Sequence, residues 1–301
     1  MDWKKLDKFF EYFTRGITFF SFFILSFIII FIVKESLPLF KEIGVIDFIF
    51  GKRWYPSSYS NPAMGIFNII LATIYISVLS IVIAFPIGLG CSIFLSCILE
   101  EKTKNILKPY IDILAGIPSV IYGFLGLIIV VKFFEILGRP SGESVLSGGI
   151  VLSIMVLPFM IDVCQETMTK LRKKYEASSK SLGISEWYMI SELIVPASKK
   201  AMVVSIILGL GRALGETMAV MMVIGNAPIF PKLFGKAQTI SSLIALEMGM
   251  AEVGSVHYSG LFASGLCLMI MILLINFSVE FIKNRYLGDE VWEKKRYFTE
   301  V

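Results

Sequence analysis

Long uncharged runs separated by short charged stretches organise this chain. Ile17–Val33 is the first run. The second lies within Gly65–Leu99, long enough for a span plus a short extra helix, with Pro86 expected to separate or kink the two. Ile113–Val131 is the third and Ser144–Ile161 the fourth; the fifth runs from Ala201 to about Pro231, and the sixth lies within Val253–Val279. Each is near the ~20 residues that a membrane-crossing helix needs, and none alternates with the period of two that a barrel strand requires. The pattern predicts an all-α membrane protein with six transmembrane helices.

Composition supports lipid as the solvent. Hydrophobic residues make up 56% of the 301, charged residues only 17%, and there are 25 phenylalanines; a soluble domain of this size could not hide so much apolar surface. A formal net charge of +4 is too weak and too scattered for a nucleic-acid binder. Cys91, Cys97, Cys164 and Cys267 fall in or beside apolar runs, form no CxxC, and read as packing residues; with His257 as the single histidine, no metal set is expected. Ile17–Val33 has no small-residue cleavage site after it and reads as a retained anchor.

Basic residues set the orientation. One side collects Lys4, Lys5, Lys8 and Arg15, the lysines at 102, 104 and 108, seven basic residues between Lys170 and Lys200, and five from Lys283 onward, nineteen in all. The other side has eight, from Lys34 to Lys236. The excess marks the cytoplasm and places both termini there. The expected divisions are a cytoplasmic N-terminus (1–16), a first span with an external loop (17–64), a membrane domain (65–283) and a cytoplasmic C-terminus (284–301).

Two loops stand out. Between Lys34 and Met64, the stretch Gly51-Lys52-Arg53-Trp54-Tyr55-Pro56 suits a folded surface rather than a tight turn. On the cytoplasmic side, Asp162–Lys200 is the longest internal connection, and such loops usually carry function. Gly183 can end one short helix there and Ser185 can cap the next, with Glu186 favourable at its N-terminus. Trp187, Ile190 and Ile194 then share a face, and Pro196 closes the segment. That face fits either a docking knob for a soluble partner or an amphipathic helix lying on the membrane.

Candidate chemistry sits in the fifth run, at Gly211-Arg212-Ala213-Leu214-Gly215-Glu216-Thr217-Met218-Ala219-Val220. A charged residue at mid-bilayer costs about 2.5–3.5 kcal/mol on insertion scales, so it usually faces a pathway or a partner. Four residues apart on a helix, Arg212 and Glu216 can pair. The pair is either a structural tie or a charge site on a route for a charged solute. Gly209, Gly211 and Gly215 beside it would admit a neighbouring helix. Asn68, Asn276 and Ser119 read as interhelical hydrogen-bonding groups, and His257 as a solvated residue at the outer edge of the last span.

These motifs resemble a known family. Glu176-Ala177-Ser178, then Leu182-Gly183, then Pro196 thirteen residues after the glycine, is similar to the coupling loop of ABC importer permeases, although Glu176 stands seven residues before Gly183 where the family's glutamate usually stands six. Ala115-Gly116-Ile117-Pro118-Ser119-Val120-Ile121-Tyr122-Gly123 and the Gly211–Val220 segment, with Gly215 and Thr217, both resemble signatures of the phosphate-specific importer permeases, and Gly215-Glu216-Thr217-Met218-Ala219-Val220 is similar to the C-type subunit. The resemblance spans roughly 48–286. It implies a type I ABC importer permease fold, with a permease domain over 65–283, a coupling helix within 162–200, and location in the cell membrane. It further implies phosphate translocation involving Arg212 and Glu216, and coupling to an ATPase through Glu176, Ala177, Gly183, Trp187 and Pro196. The implied partners are a second, A-type permease, two ATP-binding subunits that hold ATP and magnesium, and an extracytoplasmic phosphate-binding protein.

No P-loop of the GxxxxGK[ST] type occurs, so this chain is expected to hydrolyse no ATP and to bind no cofactor itself. Other readings are a permease for sulfate, molybdate or tungstate, or an ion-coupled secondary carrier, for which no clear internal repeat is found. An intramembrane enzyme would need a nucleophile–base or metal set within the spans, which the sequence does not offer.

Overall fold

Backbone groups in hydrocarbon must bond within their own segment, so helices dominate. The computed structural model describes residues 3–56 and 62–287. Helix α1 (Trp3–Glu42) extends well beyond Ile17–Val33 at both ends. After Gly44 (φ +85°) comes α2 (Val45–Phe50). The expected folded external surface follows: β1 (Trp54–Tyr55) pairs antiparallel with β2 (Ala63–Met64), Trp54 opposite Met64. Gly51 and Gly65 cross here so closely that neither could carry a side chain.

Helix α3 (Phe67–Ile93) runs unbroken past Pro86 and ends in a π-helical turn, Phe94–Ile98. The expected separation at Pro86 is therefore absent: a proline removes one ladder bond, and a helix packed on its neighbours tolerates that loss. Helix α4 (Glu101–Gly116) buries none of its residues, and its Ile106, Tyr110 and Ile113 form an exposed apolar stripe. The chain then breaks at Ile117 (ψ 128°), because a residue before proline is driven out of the α region. Helix α5 (Ser119–Leu125), a π-helical stretch (Gly126–Val131) and α6 (Lys132–Ile136) make up the third span. That span starts at Ser119 rather than at Ile113.

Ser144 caps α7 (Val145–Ser181) by accepting the Ser147 amide at 3.1 Å. The fourth apolar run is only the first half of this helix, so the first of the two expected short loop helices is simply its end. Beyond Gly183 come α8 (Glu186–Tyr188), a π-helical stretch (Met189–Ile194) and α9 (Val195–Ala197), which meet α10 (Lys199–Gly215) at a 57° bend. The fifth run is not one helix. It stops at Gly215, resumes as the short α11 (Met218–Val223), and turns at Gly225 (φ +86°) and Asn226 (φ 46°). Helix α12 (Ile240–Glu247), opened by a Thr239–Ser242 capping box, leads to α13 (Val256–Leu287). Among the described residues, five helices are long and apolar enough to cross a membrane, or six with the bent pair taken as one span. Most of the C-terminal segment, 288–301, lies outside the described residues.

The centre of the bundle is α3, α7 and α10, joined through Ile76, Ile81, Leu152, Val156, Met160 and Ala213. A second cluster (Leu39, Phe48, Trp54, Ile66, Leu243 and Leu261) binds the external segment to α12 and α13. Phe19, Phe22 and Phe27 of α1 stay exposed, as lipid-facing side chains do.

Candidate functional site

The site begins where α7 meets α10. Cys164 lies 3.3 Å from the Ser205 hydroxyl, and a Cβ on Gly209 would come within 3.0 Å of Val156. Later residues of α10 thus meet earlier residues of α7, so the two helices run antiparallel. Side chains tilt toward the N-terminus of their own helix. Arg212 of α10 and Phe159 of α7 therefore lean toward each other, and the Arg212 guanidinium carbon sits 4.0 Å from the Phe159 ring centroid, over its face.

The expected Arg212–Glu216 pair does not form. With α10 ending at Gly215, Glu216 is extended (φ −72°, ψ 126°) and no longer one turn above Arg212. Its Oε1 accepts the Ala219 amide at 3.2 Å, and its carbonyl accepts the Ser241 hydroxyl at 3.0 Å. Arg212 Nε is buried without a hydrogen-bond partner among the described residues. The glycines divide as well. Gly209 packs against Ile81 and Val156, whereas nothing approaches within 4 Å of a Cβ placed on Gly211 or Gly215. The space beside the backbone at Gly211 and Gly215 is open, and of these three glycines only Gly209 shows the expected close helix approach.

Both signature segments meet at this place. The break at Ile117-Pro118 lets α5 turn onto α11, where a Cβ on Gly123 would stand 3.0 Å from the Ala219 Cα. Tyr122 is buried beside Ala219 and Val223, and its hydroxyl donates to the Leu114 carbonyl at 2.7 Å, bracing the break. Gly116 is exposed and, like Gly215, faces open space; Ser119 starts α5, and the Thr217 hydroxyl, also exposed, donates to the Gly215 carbonyl at 3.4 Å.

The loop ending α7 leaves large apolar side chains exposed. Gly183 has φ +66°, a conformation that suits glycine, and Ser185 Oγ accepts the Tyr188 amide at 3.3 Å. Ile190 and Ile194 are buried against Cys97 and Met168, but Trp187 is 70% exposed, with Leu182 and Tyr188 also exposed. The expected common face of Trp187, Ile190 and Ile194 is thus split: from Met189 onward the wider π-helical winding abandons the 3.6-residue period on which the expectation rested. Glu176 pairs with Lys180 at 2.7 Å and, with Arg172, lines a crevice of about 210 Å³ beside Ser96 and Lys104. Ala177 is exposed, and Pro196 lies in α9 just before the 57° bend.

His257 is not solvated. Only 17% of its side chain is exposed, and its Nε2 lies 2.8 Å from Glu247 Oε2, which also accepts the buried Trp54 indole N–H at 2.9 Å. The sequence reading missed this trio and also Phe159. Trp54 was flagged by its aromatic surroundings, but nothing in the sequence ties it to residues some two hundred positions away, nor Phe159 to Arg212.

Chemically, Arg212, which has no carboxylate partner among the described residues, presents a planar fork of N–H donors matched to an oxyanion. Residues 84–287 match the family of binding-protein-dependent transport system inner membrane components. The chain is 36% identical over 262 residues to a probable ABC transporter permease protein, YqgH, of Bacillus subtilis (strain 168), covering 86% of this chain and 84% of that protein. It is 32% identical over 291 residues to the phosphate transport system permease protein PstC of Pasteurella multocida (strain Pm70), covering 90% and 89%. Its fold is similar to that in a crystal structure of a bacterial alginate ABC transporter in complex with an alginate pentasaccharide-bound periplasmic protein, with a TM-score of 0.58 at 16% identity over 91% of this chain and 96% of that one. At that identity the likeness concerns the fold alone.

Proposed function

Because the chain belongs to the family of binding-protein-dependent transport system inner membrane components, and so is a permease subunit of an ABC importer, we propose that the solute it carries inward is inorganic phosphate. The observation carrying this reading is Arg212: a guanidinium within the bundle, without a carboxylate partner among the described residues, on a helix with open space at Gly211 and Gly215. A planar fork of donors matches the oxygens of a tetrahedral oxyanion. A single such contact also keeps the ion from binding too tightly to leave, which a conduit requires. Glu216, by holding the first turn of α11, keeps the break open beside Arg212 instead of neutralising it. The phosphate transport permeases among the relatives support the choice of ion.

In this reading the chain works with a second permease of the A-type, two ATP-binding subunits that hold ATP and magnesium, and an extracytoplasmic phosphate-binding protein. It binds no cofactor itself. Both termini and the Asp162–Lys200 loop are cytoplasmic, and the exposed Leu182, Trp187 and Tyr188 seat against an ATP-binding subunit. Gly183, through its positive φ, and Pro196, through the bend after it, set the angle of that knob, while Glu176 and Ala177 flank it on the end of α7.

The test is uptake of labelled phosphate by the complete complex in liposomes, with sulfate, molybdate and tungstate as competitors. Phosphate uptake that an excess of the other three does not suppress supports the reading. Uptake of one of those oxyanions without phosphate would replace it.

A further inference from the structure

We propose that Phe159 is the positioning residue for Arg212, an aromatic platform that stands where a counter-ion would normally stand. The inference rests on the reading of Arg212 as the phosphate contact. An arginine among apolar helices ordinarily draws a carboxylate to itself. Here the carboxylate four residues away is engaged with the Ala219 amide, Arg212 Nε has no hydrogen-bond partner among the described residues, and the close partner of the cation is the Phe159 ring at 4.0 Å. The negative face of an aromatic ring attracts a guanidinium, and more strongly where water is excluded.

The difference between a ring and a carboxylate decides what the site can do. A carboxylate would occupy the same N–H fork that an oxyanion needs, so the anion would have to displace it. A ring offers no hydrogen-bond acceptor in competition with the anion. It covers one side of the cation and leaves N–H donors for an anion arriving from the open space beside Gly211 and Gly215. Phe159 is itself at the edge of that space, 36% exposed, while its neighbours Pro158 and Met160 are buried. Gly209 fixes the register, since close approach of α10 to Val156 and Met160 puts Arg212 within reach of the ring. The platform thus holds the arginine in place without competing for its donors.

Substitution at 159 in the complete complex, reconstituted in liposomes with its ATP-binding subunits, second permease and binding protein, tests this. Phe159→Leu and Phe159→Met keep an apolar side chain but remove the ring. Each should lower phosphate moved per ATP hydrolysed by roughly tenfold, with assembled complex and ATP hydrolysis within about twofold of the parent, whereas Phe159→Tyr and Phe159→Trp should retain at least about half of the ratio. In an Arg212→Lys background, which loses the planar fork, Phe159→Leu should cost less than about twofold more. Wild-type ratios in the Leu and Met variants would overturn the platform, as would equal losses in all four. An Arg212→Gln complex that still moves phosphate would end the parent reading; one that is inactive beside fully active Leu and Met variants would end only this one.

Discussion

Glu216 Oε1 accepts the Ala219 backbone N–H at 3.2 Å. The carboxylate therefore secures the first turn of α11 and leaves Arg212 to the Phe159 ring. This separates two residues that share one signature, and it makes their substitutions unequal.

Glu216→Gln keeps a side-chain oxygen for the Ala219 amide and should leave assembled complex and phosphate uptake close to the parent. Glu216→Ala removes a hydrogen bond to a charged acceptor, typically about 1.5–3 kcal/mol, and should lower the yield of assembled complex. Arg212→Gln should abolish uptake while the complex still assembles, and Arg212→Lys should keep part of it. Uptake divided by assembled complex checks all four. Failure of Glu216→Gln as complete as that of Arg212→Gln would return Glu216 to the translocation route.

Gly183 stands at φ +66°. A β-branched residue there meets the left-handed penalty of about 1–2 kcal/mol, which the turn can relieve only by re-aiming Trp187. Gly183→Val should release ATP-binding subunits during purification or let them hydrolyse without transport. Co-purification and coupled uptake at parental levels would show that the turn does not aim the knob.

Glu247 joins Trp54 and His257, linking the external segment to α13. Glu247→Ala leaves the buried indole N–H without its acceptor, a loss of about 1–3 kcal/mol. The thermal midpoint in detergent should fall, and trypsin should cut sooner at Lys52 or Arg53 beside Trp54. An unchanged midpoint and digestion rate would mean that apolar packing alone holds the segment.

Topology can be read by labelling. Leu182 and Met250 are both strongly exposed, at 74% and 82%. The basic-residue bias puts Leu182 inside and Met250 outside. In a background without the native cysteines, cysteine at 250 should react with an impermeant thiol reagent on intact cells, and cysteine at 182 only after lysis. The reverse pattern would invert the orientation and remove the docking role of Trp187.

The sequence by itself determined the apolar surroundings, the helical class and the position of most of the membrane-length runs. Hydrophobic run length and charge bias depend on composition over about twenty residues, and no tertiary contact can reverse them. Local backbone rules were legible for the same reason: the positive φ at Gly183, the cap at Ser185 and the folded surface around Trp54 each follow from residues within a few positions. Other features were decided by tertiary structure alone. The break at Gly215, braced by Ser241 and capped by Glu216, cancelled a pairing that helical periodicity implied. The π-helical winding after Met189 turned Trp187 away from Ile190 and Ile194. Phe159 reached Arg212, and Glu247 reached Trp54, only because helices distant in sequence pack side by side. A one-dimensional pattern can say that an arginine in lipid needs a partner, but the antiparallel packing of α7 on α10 chose an aromatic ring over the nearest carboxylate.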